Sequence, residues 1–283
     1  MSDLPLAAAV DAIDVMVDER RLLLELLAEL KPSEWEQATE CPAWTVKGIT
    51  LHLIGDDLSL LSRQRDDEPP GVVPAADDDG WQGLFGELNR FNERWVDTAR
   101  FLSPPLVIDL LRATGEWTHR WYATVDPDRL GEGVHWAGID AAPYWILAAR
   151  EYSERWIHQQ QLRRATGRPG LDEPRFVVPA VAVTVRGFPP ALSLFPAEAG
   201  TAVSLQLEGT ASAWTFVKGP QEWAIHDGVP ASPDVRLTLD VPAASALFSR
   251  GLEHAAATEC LRAEGDEPLA ASLAAGVSAF FAR

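Results

Sequence analysis

The sequence predicts two unlike halves: an all-α helical bundle, then a smaller α+β domain with an antiparallel sheet. Three observations carry this. Apolar residues recur at helical spacing in long segments up to residue 166. The stretch Gly167-Arg-Pro-Gly-Leu-Asp-Glu-Pro then reads as a linker. Beyond residue 200 the pattern changes to short alternating runs bounded by Gly, Pro and Asp. Runs of strands after runs of helices favour separate domains, here 1–168 and 175–283. Nine of the eleven tryptophans precede residue 157, so the halves also differ in composition.

The first helix is expected over 5–30, rich in Ala, Leu and Glu, with Pro32 after its end. Thr45 is the expected N-cap of a helix from Val46 to about Arg65. Prolines and aspartates make 66–80 a loop. Helical patterns resume over 81–102 and 105–124, separated by Pro104-Pro105, and proline suits a helix start. A fifth helix runs from about Ala141 to Thr166, with Gly167 as its C-terminal cap. Long helices joined by short or medium loops indicate a bundle. In the second half, 201–209, 213–218, 222–226 and 234–240 alternate as strands do, and their close spacing suggests antiparallel pairing. Helices are expected again at 242–250 and 267–282.

Composition narrows the function. The chain has 283 residues, is 47% hydrophobic and carries a net charge of -18. Nucleic acids and anionic membranes call for clustered Lys and Arg, so neither is an expected partner. Cys41 and Cys260 are the only cysteines, too few for a disulfide scaffold or a thiolate-rich zinc site. No signal peptide and no bilayer-length apolar run is apparent, so a cytoplasmic location is expected. No Gly-x-Gly-x-x-Gly loop occurs.

The chemistry points to Glu154 and His158. They lie four residues apart on one helix face. A carboxylate and an imidazole so placed can share a metal, and one ligand from another helix would leave a fourth position open, as in catalytic zinc sites. His52, in the second helix, can supply it. Other readings stand beside this one. Trp145, Ala149, Tyr152 and Trp156 form the apolar stripe of the fifth helix, with Glu154 and His158 on the far side, so the pair can be a solvated ion pair. His52 can be a boundary histidine bonded to Asp56, or Asp56 can support it or act as a further ligand. His119, near Glu116, reads as a surface residue or one supporting the site. Cys41 has no adjacent base and is a poor nucleophile candidate.

These segments have a family likeness. Cys41-Pro42-Ala43-Trp44-Thr45-Val46-Lys47, followed by Leu51-His52-Leu53, resembles the Cys-Pro-Gly-Trp-Thr-Val-Arg segment and ligand histidine of mycothiol-dependent maleylpyruvate isomerases, which belong to the DinB-like metal-binding bundles. Glu154, His158, Leu162, Ala165, Gly167 and Pro169 are similar to that family's second metal segment. The C-terminal half resembles its sterol-carrier-like domain. Ala43 departs from the family's glycine, and Gly48 stands where aspartate is frequent. The resemblance implies that His52, Glu154 and His158 bind a divalent metal, zinc foremost, although nickel, cobalt, manganese and iron accept such ligands. It implies mycothiol as cofactor and a small electrophilic substrate attacked by the metal-bound thiolate, in isomerisation or S-transfer. It also implies a substrate-binding arginine from the second domain, with Arg186, Arg236 and Arg250 as candidates, and a substrate cleft between the halves. The alternative is a small-molecule or lipid binding protein with a structural or vestigial metal site.

Overall fold

The computed structural model describes residues 4–69 and 80–281. Its first half is built from α1 (Ile13–Ala28), α2 (Val46–Leu60), α3 (Gly80–Ala99), α4 (Pro104–Tyr122) and α5 (Tyr144–Ala165). The start and stop signals act as expected. Thr45 is extended and its hydroxyl accepts from Gly48 N–H at 3.3 Å, satisfying a donor that the first turn of α2 leaves unpaired. Pro104 opens α4. Gly167, at φ 66°, ends α5 in the left-handed conformation that glycine adopts without strain. Leu23, Leu27, Ile49, Leu53, Val107 and Leu111 form a buried core between α1, α2 and α4. α2 passes into a π-helical turn, Leu61–Arg65. Most of the loop expected over 66–80 lies outside the described residues.

The second half begins with two helices that the alternating pattern did not announce, α6 (Pro174–Thr184) and α7 (Phe188–Leu192). Then come β1 (Ala202–Glu208), β2 (Ala213–Lys218), β3 (Trp223–Asp227), β4 (Val235–Asp240), α8 (Val241–Phe248), α9 (His254–Cys260), β5 (Arg262–Gly265) and α10 (Glu267–Phe281). Val203, Leu205 and Leu207 of β1 and Val235, Leu237 and Leu239 of β4 are buried, as period-two side chains on one sheet face should be. β5 was not anticipated because its four residues are all exposed, leaving no alternation to read.

Two expectations need correction. The sheet is mixed, not antiparallel: its order is β3-β2-β1-β4-β5, and β1 and β4 run parallel. Residues 228–234 carry the chain back past the β1–β2–β3 meander, so β4 enters on the far side of β1 in the same direction. Helix α1 starts at Ile13, well after residue 5. Ala7 N–H donates to Ile225 O and Asp227 N–H to Pro5 O, so the leading segment serves the open edge of β3 instead of coiling.

The buried core does not stop at the linker. Tyr152 Oη donates to Phe176 O at 2.7 Å, and Trp156 Nε1 donates to Leu171 O at 3.2 Å. Gln160 reaches Asp172 and, in α8, Ser245 Oγ. One apolar cluster runs from Tyr152 and Trp156 through Phe176 and Val181 to Leu205 and Leu237. A fragment ending at residue 168 therefore bares Tyr152 and Trp156, each worth on the order of 2 kcal/mol of burial. We expect that fragment to bind a hydrophobic dye and to melt well below the full chain. A calorimetric scan showing equal melting temperatures would show that the first half needs no cover.

Candidate metal centre

His52 comes from the middle of α2, Glu154 from the middle of α5 and His158 from one turn further along it. The fold brings all three together: one ligand atom from each lies within 4.8 Å of the others, and among the described residues this is the one such group found. Glu154 Oε1 is 3.0 Å from His158 Nε2 and 3.5 Å from His52 Nε2. The imidazoles meet edge to face, with ring centres 4.8 Å apart. His52 is 4% exposed and His158 7%, whereas the Glu154 side chain is 44% exposed. The cluster is thus backed by protein on the histidine side and open beside the carboxylate. Two imidazole nitrogens and one carboxylate oxygen gathered within 4.8 Å of one another fit a divalent cation with an open position.

The solvated-pair reading does not hold for His158. Its helix has no outer face in the usual sense, since Ile146, Glu151, Tyr152, Arg155, Trp156, His158 and Gln159 are all buried. The apolar stripe faces α6, while the side bearing Glu154 and His158 meets α2. Trp44 covers the site from the loop before α2, its ring stacked on His52 at 4.6 Å. Gly48 makes room: a Cβ there would stand 2.9 Å from Trp44 Cβ.

The electrostatics follow from this packing. Partial desolvation raises the Glu154 carboxyl, but the two neighbouring histidines outweigh it and hold the group well below the usual carboxylate range. Burial lowers His158, and Glu154 overcomes that and lifts it well above the usual imidazole value. Asp56 is pushed up to about 6 by burial, against the pull of His52. Its Oδ2 is 3.2 Å from His52 Nε2, so it borders the site beside the three-residue group.

Spacing along the chain does not reveal what joins α2 to α5. Asp57, fully buried and next to Asp56, accepts from Arg20 Nη1 (2.9 Å) of α1, Thr114 Oγ1 (2.6 Å) of α4 and Arg155 Nη2 (2.6 Å) of α5. Arg155 directly follows Glu154 in the chain and also donates to Thr118 Oγ1. Arg20 fits because residue 115 is glycine, where a Cβ would come within 2.9 Å of the guanidinium. Glu19, entirely buried beside this network, is raised to about 7 by burial. A buried ion network of this kind holds α2 and α5 in one register, and so holds His52 opposite Glu154.

The remaining candidates fall elsewhere or at the margin. His119 is half-buried on α4. The Cys41 thiol donates to Gln161 Oε1 at 3.3 Å. Arg164 clasps Glu40 through two nitrogens and also donates to Ser249 Oγ and O at the end of α8. Arg250 directly follows Ser249, which Arg164 ties to Glu40 of the segment before α2. Arg186 instead donates to Ala8 O on the far side of α6, in a cavity of about 350 Å³, and Arg236 lies within the sheet. A smaller cavity of about 180 Å³ shares Trp44 with the site but none of the three clustered residues. No described helix is long and apolar enough to cross a membrane.

The family model for the mycothiol maleylpyruvate isomerase N-terminal domain matches residues 16–163, just over half of the chain and all three clustered residues. The chain belongs to this family. Two solved structures share its fold across both halves. One, a histidine-to-alanine mutant of the mycothiol-dependent maleylpyruvate isomerase, aligns with a TM-score of 0.54 at 10% identity, covering 89% of this chain and 92% of that one. The other, the mycothiol-dependent maleylpyruvate isomerase, aligns with a TM-score of 0.50 at 11% identity, covering 84% and 89%. No curated protein matches the chain in sequence. Within the mycothiol maleylpyruvate isomerase family, this chain keeps the helix-bundle-then-α+β order and supplies from α2 and α5 the side chains that meet in its bundle.

Proposed function

We propose that this protein is a metal-dependent enzyme that uses mycothiol to transform a small electrophile, with His52, Glu154 and His158 holding the metal. The observation that carries the reading is the convergence of these side chains, from helices far apart in sequence, around one point with an open side. Their chemistry suits zinc first. When bound, the metal and the thiol supply a nucleophilic sulfur at neutral pH, able to add reversibly to an electron-poor double bond or to be transferred to an electrophile. The chain's own residues do the rest. His52 and His158 are held rigid by burial, Trp44 shuts water out over the His52 ring, and the exposed side of Glu154 marks the entrance. Arg250, through the Arg164–Ser249 tie, is our choice for the arginine that binds a substrate carboxylate. The division into a metal-bearing half, 1–168, and a covering half, 175–283, belongs to the same reading, as does a cytoplasmic location, where small thiols stay reduced.

The test is calorimetric titration of the zinc-loaded protein with mycothiol in buffers of different ionisation enthalpy. We expect close to one proton released per thiol near pH 7, because a free thiol with pKa about 8.5 is mostly protonated there. Cis-to-trans isomerisation of maleylpyruvate is assayed alongside, with a panel of other electrophiles. Equal proton release from the metal-free protein would remove the activation step. Metal binding with no thiol chemistry across the panel would favour the carrier alternative.

A further inference from the structure

We propose that Gln161 is a positioning residue: it fixes the tautomer in which His158 offers Nε2 to the metal, and Cys41 holds the Gln161 amide in that orientation. This rests on the metal-binding reading above. Gln161 lies three residues after His158 on α5 and is 3% exposed. Its Oε1 accepts from His158 Nδ1 at 2.8 Å. The same oxygen accepts from Cys41 Sγ at 3.3 Å.

An amide oxygen carries no hydrogen, so the proton of this bond belongs to Nδ1. Once a metal takes the place of the proton that Nε2 shares with Glu154, the lone pair of the neutral ring is on Nε2. With the amide turned over, its NH₂ group would face Nδ1. The ring proton would then move to Nε2 and point into the ligand cluster, where it blocks coordination. The thiol decides between these orientations. An S–H beside the oxygen adds a second, weak donor to the same acceptor, whereas the turned amide would set its NH₂ against sulfur, a poorer acceptor than oxygen. Cys41 is on the loop that also presses Trp44 against His52, so one loop steadies both histidines. The sequence concealed this arrangement because Cys41 and Gln161 are 120 residues apart.

The experiment uses the full chain and zinc alone, with affinity read by competition against a chromophoric chelator. Histidine ring nitrogens are followed by long-range ¹⁵N–¹H NMR. In zinc-loaded wild type we expect a slowly exchanging Nδ1–H on His158. Loss of an outer partner of a ligating histidine typically costs about 10–100-fold in metal affinity, and Gln161→Leu should fall in that range and lose the protected proton. Gln161→Glu keeps an acceptor oxygen and should restore both. Cys41→Ala should shift affinity in the same direction by less. The proposal is overturned if zinc-loaded wild type carries no Nδ1–H on His158, a result that needs no variant to fold. It is also overturned if Gln161→Leu binds zinc like wild type, or if Leu and Glu weaken binding equally, the mark of a packing role. A His52→Ala control separates the levels. If His52→Ala loses zinc while Gln161→Leu keeps it, only the role of Gln161 fails. If both keep zinc, the metal site itself fails.

Discussion

Replacing Asp57 with Ala is expected to destabilise the protein by about 3–5 kcal/mol, the usual cost of removing one partner from a buried ion pair. The substitution leaves two buried guanidinium groups, Arg20 and Arg155, without the carboxylate that joins them. Thr114 loses its acceptor as well. The consequence reaches the His52–Glu154–His158 cluster through α5, because Arg155 adjoins Glu154 and its bond to Asp57 joins α5 to α2. Urea unfolding of the metal-free protein measures the stability term, and zinc competition on the folded variant measures the positional one. Asp57→Asn, which keeps the shape but not the charge, should show a smaller loss of the same sign. A change under about 1 kcal/mol for Asp57→Ala would place the pair among weakly coupled surface contacts and would refute the network as the register device.

His52→Ala should abolish tight metal binding while leaving the fold in place. Two protein ligands on one helix remain, too few to hold the ion tightly. The removed ring is also a packing partner of Trp44, so a modest drop in melting temperature is expected from the stack alone. Metal content after dialysis, by elemental analysis, checks the prediction, with circular dichroism to confirm helix content. A His52→Ala protein that still carries a full equivalent of metal, coordinated by Glu154 and His158, would show that α2 and α5 do not share an ion. Glu154→Gln supplies the complementary case. It keeps the side-chain volume, removes the anionic donor and should weaken binding without disturbing Trp44.

What the sequence determined by itself was local. Helical and alternating spacing, the Thr45 cap, Pro104 and Gly167 set most element types and ends, because those signals act within a turn or two of the backbone. The Glu154–His158 pair was visible for the same reason, since i and i+4 share a face in any α-helix. Which neighbour meets that face is a different matter. His52 lies 102 residues before Glu154, and their meeting depends on Arg20, Thr114, Asp57 and Arg155 joining four helices at once. Burial of His158 depended on α5 being surrounded, which a helix wheel reads as solvent exposure. α6 was hidden because it packs on α5 at one side and towards α8 at the other, leaving no polar face to create a period. The parallel β1–β4 pair and the capture of residues 5–7 by the β3 edge were likewise long-range decisions. Spacing along the chain assigns a side chain to a face, but only packing in three dimensions assigns that face its partner.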